Sequence, residues 1–122
     1  MPNPFVHIEL HTGDVDKAKD FYSGLMDWKL EDMDMGPMTY TMVHVGEDGV
    51  GGGMVAKQSD DAPTAWMPYV NVDDLDASTE KVKSLGGTIL AERQEVPNMG
   101  SFAIIADPTG ATIGLWQPAD AS

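Results

Sequence analysis

The sequence contains no cysteine, which excludes a disulfide framework, a thiolate metal site and a cysteine nucleophile. Any chemistry therefore falls to His, Asp, Glu and the backbone. Long apolar runs are missing too. The opening Met1-Pro2-Asn3-Pro4 has no basic region and no apolar stretch of signal length, and the later apolar runs are only strand-sized. A soluble cytoplasmic protein is the expectation. Positive charge is scarce: seven Lys and Arg stand against 20 Asp and Glu, a formal net charge of −13. Such a chain repels nucleic acid and anionic membranes, so neither is an expected partner. The same charge suits a solvated surface, or an acidic groove that attracts a cationic ligand.

At 122 residues the chain has the size of one domain and buries enough surface to fold without staples. Phe5 to Leu10 alternates in period two, with Val6, Ile8 and Leu10 on one face and Phe5, His7 and Glu9 on the other. Asp14 is placed to cap a helix from Val15 to Met26, in which Val15, Ala18, Phe21, Tyr22 and Leu25 recur at helical spacing and are expected to pack on a sheet. Trp28 to Met33, Thr39 to Val45 and Gly53 to Lys57 read as strands, separated by turns at Gly36-Pro37 and Glu47-Asp48-Gly49.

The order then repeats. A strand from Trp66 to Val72 precedes a helix from Asp74 to Leu85, a Gly86-Gly87 stop, and strands Thr88 to Val96, Ser101 to Ala106 and Ala111 to Trp116. A shift of about 60 positions lays Asp14 on Asp74, Leu25 on Leu85, Leu30 on Leu90 and Pro37 on Pro97. One further residue lines up Met38 with Met99, Gly49 with Gly110 and Gly53 with Gly114. Two copies are too few for a solenoid, so the repeat implies a paired-module α+β fold. Its modules are 4–57 and 65–118, joined by a polar linker at 58–64.

The pattern His7-x-x-Leu10, Asp14, Phe21-Tyr22 and Leu25-x-x-Trp28, followed by Asp74-Leu75-Asp76, Leu85-Gly86-Gly87, Asp107-Pro108-x-Gly110 and Leu115-Trp116, resembles the glyoxalase/bleomycin-resistance (vicinal oxygen chelate) superfamily. The resemblance spans nearly the whole chain. It implies two βαβββ modules forming a curved eight-stranded mixed sheet around a ligand cleft, with the helices outside, and commonly a homodimer. In the metal-using members of that family four strand positions offer His, Gln or Glu to a divalent ion. Carried onto this sequence, those positions are His7, Gly53, Met67 and Gly114. Of these only His7 could bind a metal, so the usual centre is expected to be lost and no cofactor is expected. A noncanonical divalent site, with His7 and Glu9 joined by His44 or by a second chain, is the alternative.

His7 and Glu9 are the candidate catalytic pair, and with Met67, Tyr69, Asn71, Gly114 and Trp116 they are the candidate ligand-binding residues. Histidine titrates near neutrality, a buried carboxyl can serve as a base, and Tyr69 offers a flat ring with a hydroxyl. Gly51-Gly52-Gly53 has no following helix or P-loop lysine and reads as a strand kept bare for close approach, which suits an enlarged cleft. Nine methionines, Met26, Met33, Met35, Met42 and Met54 among them, suit core filling or an adaptable pocket. Three functions follow from this reading. They are metal-free binding of a small, cationic or aromatic molecule, a metal-dependent lyase, isomerase or dioxygenase, and a metal-free acid/base enzyme using His7 and Glu9.

Overall fold

The computed structural model describes residues 3–34, 39–57 and 59–119. The expected Gly36-Pro37 turn, with Met35 and Met38, lies outside the described residues, as does Gln58 at the start of the expected linker. The elements in chain order are β1 (Phe5–Thr12), α1 (Val15–Leu25), β2 (Lys29–Asp34), β3 (Thr39–His44), β4 (Gly52–Ala56), β5 (Ala65–Asn71), α2 (Leu75–Ser84), β6 (Thr88–Val96), β7 (Gly100–Ala106) and β8 (Thr112–Pro118). All eight expected strands and both helices are present, and the strands pair in both parallel and antiparallel senses. No helix among the described residues is long and apolar enough to cross a membrane.

The two helices start in the same way because the same residue starts them. The Asp14 carboxylate accepts from the Lys17 amide at 3.0 Å, and the Asp74 carboxylate accepts from the Ala77 amide at 3.1 Å, so each satisfies an N-terminal donor that the helix itself leaves unpaired. At the end of α2, Gly86 takes a φ of +91°, and the Gly87 amide donates back to the Val82 carbonyl at 2.9 Å. That left-handed step suits glycine and stops the helix. Between β7 and β8, Asp107 Oδ1 accepts from the Thr109 amide, the Thr109 hydroxyl and the Ala111 amide. Gly110 supplies a φ of +99° in the same turn, which gives the Asp-Pro-x-Gly sequence its physical reason.

The chain divides into two compact units, His7–Met67 and Met1–Val6 with Pro68–Ser122. The units are not coextensive with the two sequence repeats. The opening of β1 sits with the second repeat, where the Asn71 amide donates to the Pro4 carbonyl at 2.9 Å and Asn3 Nδ2 donates to the Asn71 carbonyl at 2.8 Å. Conversely, Ala65 to Met67 of β5 sit with the first repeat.

In the unit His7–Met67 the strand order is β2-β3-β4-β1, with β1 and β4 parallel and the other pairs antiparallel. Leu10, Val43 and Met54 form its buried core, and Val15, Ala18 and Tyr22 of α1 pack against them with Trp28, Leu30, Val45 and Trp66. Phe21 and Leu25 depart from expectation: they are 61% and 63% exposed. Tyr22 already fills the space beneath the last turn of α1, stacking on Trp28 at 5.7 Å and meeting Trp66 edge-on at 5.4 Å, so the residues on either side of it are turned outward. The second unit has the order β5-β8-β7-β6, with β5 and β8 parallel. Its core is Val72, Leu75, Ala103, Ile105 and Leu115, closed by Val82, Ile89 and Ile113.

Candidate functional site

Alternation along β1 decides which side chains share a face. Leu10 and Thr12 are buried on the helix-covered side, so His7, Glu9 and His11 project from the other. Register extends that second face across the unit: Glu9 lies opposite Gly53, Gly53 opposite Met42, Met42 opposite Glu31, and Tyr40 opposite Met33. His44 lies on it as well, 3.2 Å from Glu31. All three histidines of the chain thus occupy one side of one four-stranded sheet.

Four of these side chains form a hydrogen-bonded network. Tyr40 Oη donates to Glu9 Oε2 at 2.7 Å, His11 Nε2 lies 2.7 Å from Glu9 Oε1, and His7 Nε2 lies 2.6 Å from Tyr40 Oη. Only 12% of the Glu9 side chain is exposed. Burial by itself would raise the Glu9 carboxyl, but the hydrogen bond from His11, the nearby His7, the hydrogen bond from Tyr40 and the charge of His11 outweigh it and hold the group well below the usual carboxylate range. An ionised carboxylate only accepts, so the phenol proton goes to Glu9 and the phenol oxygen is left to accept from His7 Nε2–H. The donors run in one direction, His7 to Tyr40 to Glu9, with His11 donating to the second carboxylate oxygen.

Gly53 makes room for this arrangement. A β-carbon built there would fall within the phenol ring of Tyr40. The bare strand expected to enlarge a cleft is therefore filled, at this position, by a side chain from β3. The other unit repeats the device with different residues: Gly114 is the register partner of Tyr69, and a β-carbon at Gly114 would fall within the Tyr69 ring.

The remaining candidates lie around that second tyrosine. Tyr69 is 4% exposed and meets Phe102 edge-on at 6.0 Å. Asn71 pairs with Trp116, and Trp116 with Phe102, so Tyr69, Asn71, Gly114, Trp116 and Phe102 share one face of the second unit. The backbone of Asn71 is engaged by Asn3 and Pro4, as described above. Met67 is buried within the first unit. Trp66 donates from Nε1 to Tyr22 Oη at 3.1 Å on the helix-covered side of its unit.

These residues do not fit the family's divalent metal centre. Gly53 and Gly114 have no donor atom, and tyrosine rings occupy the space that a longer ligand side chain would need. Both Glu9 oxygens are held by hydrogen bonds, and among the described residues no group of three or more His, Asp or Glu side chains is arranged to hold a metal ion.

Two members of the network escape a reading of the sequence alone. His11 was within reach, because continuing the His7–Glu9 alternation by one step puts it on the same face. Tyr40 is 31 residues from Glu9, and only the pairing of β3 with β4 brings it over Gly53. The one signal for it was the glycine itself, since a missing side chain in a strand leaves a space that some neighbour fills.

Residues 5–115 match the family described as the Glyoxalase/Bleomycin resistance protein/Dioxygenase superfamily. The chain is 33% identical over 114 residues to the "Putative glyoxylase CFP32" of Mycobacterium tuberculosis, covering 90% of this chain and 44% of that protein. It is 30% identical over 125 residues to the "Anthracycline biosynthesis protein DnrV" of Streptomyces peucetius, covering 89% of this chain and 45% of that one. The chain thus spans less than half the length of these two relatives. Among solved structures, the methylmalonyl-CoA epimerase of Mycobacterium tuberculosis matches with a TM-score of 0.70 at 19% identity, covering 95% of this chain and 88% of the epimerase, a likeness of fold. The matched residues, the paired βαβββ modules and this shared fold agree: the chain belongs to the glyoxalase/bleomycin resistance protein/dioxygenase superfamily.

Proposed function

We propose that the protein binds a small organic molecule, without a metal ion, over the face that carries His7, Glu9, His11 and Tyr40. The observation that carries this reading is the Glu9 carboxylate, largely buried, ionised and held by Tyr40 on one oxygen and His11 on the other, with His7 behind Tyr40. A buried charge is costly unless it is paired and hydrogen-bonded, and one held in this way presents its aromatic and imidazole partners in fixed positions. In this reading His7 and Tyr40 contact the ligand and Glu9 positions them. The ionised carboxylate and the surplus of acidic residues favour a cationic aromatic ligand.

Two measurements test the proposal. Elemental analysis of the dialysed protein should find no stoichiometric zinc, iron, nickel, manganese or cobalt; a retained equivalent of any of them would overturn the metal-free reading. Titration with berberine as a cationic aromatic probe should give saturable binding that weakens about tenfold, or about 1.4 kcal/mol, in His7→Ala. Affinity unchanged in both His7→Ala and Tyr40→Phe would remove the site from this face.

A second reading, metal-free acid/base chemistry, is favoured by the direction of the hydrogen bonds. Glu9, held ionised well below neutrality, is a weak base, which moves the proton-carrying role from Glu9 to His7. His7 reaches the carboxylate through the Tyr40 hydroxyl, an arrangement like that of the buried acid that orients the histidine of a catalytic triad. The readings part on one result: a bound compound recovered unchanged from D2O supports binding alone, whereas exchange of a carbon-bound proton supports catalysis.

A further inference from the structure

We infer that the unit His7–Met67 has a second binding site, on the opposite side of β1 from the polar network, that takes a neutral single-ring aromatic molecule. A cavity of about 150 Å³ opens there among Ile8, Trp28, Val43, Val45, Gly52 and Trp66, with Val50 and Gly51 at one side. Ile8 alternates with His7 and Glu9 along the strand, so the cavity and the network lie on opposite faces of the same three residues.

The cavity has an origin in the sequence. The internal repeat that matches Gly53 to Gly114 also matches Gly52 to Ile113. In the second unit Ile113 packs against the core, whereas at Gly52 no side chain stands between Ile8 and Val43. Gly52 cannot simply be exchanged for a larger residue, because a β-carbon there would strike the Ile8 carbonyl, so the close approach of β1 and β4 keeps the space open.

The lining sets the ligand class. Trp28 and Trp66 meet edge-to-face with ring centroids 6.1 Å apart and offer aromatic surface to a third ring. The indole N–H of Trp66 is already donated to Tyr22, and the Gly51 carbonyl already accepts from the Ile8 amide at 3.2 Å. The other named side chains are aliphatic, so a charged or strongly polar ligand would lose its hydration here with little to replace it. Its volume is about that which accommodates one benzene-sized molecule. Ile8, at 36% exposed, and Val50, at 42%, stand at the rim and leave an entrance.

The test is a titration of the full chain with toluene and with benzoate, followed by methyl NMR of Ile8, Val43, Val45 and Val50. Toluene should give saturable shifts confined to these methyls, and benzoate should bind at least tenfold more weakly. Ile8→Trp should lower toluene affinity at least tenfold while the berberine response of the polar face persists, which separates this site from the one proposed above. Should Ile8→Trp fail to fold, Val45→Phe gives the same comparison from the other wall. Shifts that grow linearly to the solubility limit of toluene, that spread through the chain, or that match those of benzoate would overturn the inference.

Discussion

Glu9 shows why a residue's type and strand position do not fix its role. The sequence placed it beside His7 on one face and allowed it to be a base; its surroundings determine the reverse. A folded-state carboxyl held below its unfolded value contributes stability that is fully present above the ordinary glutamate range and is lost as pH falls through the lower, folded value. Glu9→Gln keeps the shape, removes this titration and leaves Tyr40 and His11 with a weaker acceptor. The variant should be less stable than the parent by about 2 kcal/mol at pH 7, in the range for hydrogen bonds to charged groups. The gap should narrow as pH falls below about 4, where the unfolded-state carboxyl of the parent begins to protonate. Urea denaturation at pH 7 and at pH 3 measures both quantities. A gap that is constant with pH would show that the carboxylate gains nothing from its surroundings.

At the scale of elements, the paired glycines are the most consequential feature. Gly53 and Gly114 occupy matching strands of the two repeats, and each accepts a tyrosine ring, Tyr40 from β3 in one unit and Tyr69 from β5 in the other. Gly53→Ala should cost about 2 kcal/mol, the usual range for overpacking, because the added methyl and the phenol cannot share the site. The cost should largely vanish in a Tyr40→Ala background, since the pair then no longer collides. A thermal-denaturation double-mutant cycle checks this, and additive penalties would locate the strain elsewhere. The elements themselves were legible in the sequence. Period-two alternation, Asp14 and Asp74 as caps and the Gly86 stop are local devices, and each acts in the structure as its chemistry dictates. The outward turn of Phe21 and Leu25 was not legible, because helical spacing names a face but not how much of it the aromatic cluster of Tyr22, Trp28 and Trp66 leaves uncovered. Tyr40 was hidden for a related reason: its place over Gly53 depends on strand register, which a single sequence states only weakly.

For the whole molecule, the repeat and the charge were plain in the sequence, while the division of the chain into compact units within β1 and β5 was not, since it rests on contacts such as Asn3 and Pro4 with Asn71, some 68 residues apart within one unit. The charge leads to the broadest prediction. Seven basic side chains cannot pair 20 acidic ones, so at neutral pH the folded chain carries uncompensated repulsion. The ion pairs described are mostly exposed: Lys19 with Asp32 at 2.8 Å, Lys83 with Glu80 at 3.8 Å, and Arg93 with Asp76 at 3.3 Å. Surface pairs of this kind are worth little and are themselves screened by salt. Raising ionic strength from about 0.01 M to about 0.1 M shortens the screening length from about 30 Å to about 10 Å, which weakens long-range repulsion more than contact attraction. The melting temperature at pH 7 should therefore rise by several degrees between those two potassium chloride concentrations. A fall would mean that the few attractive pairs outweigh the surplus charge, and that the acidic residues lie far enough apart in the folded state to be felt only weakly.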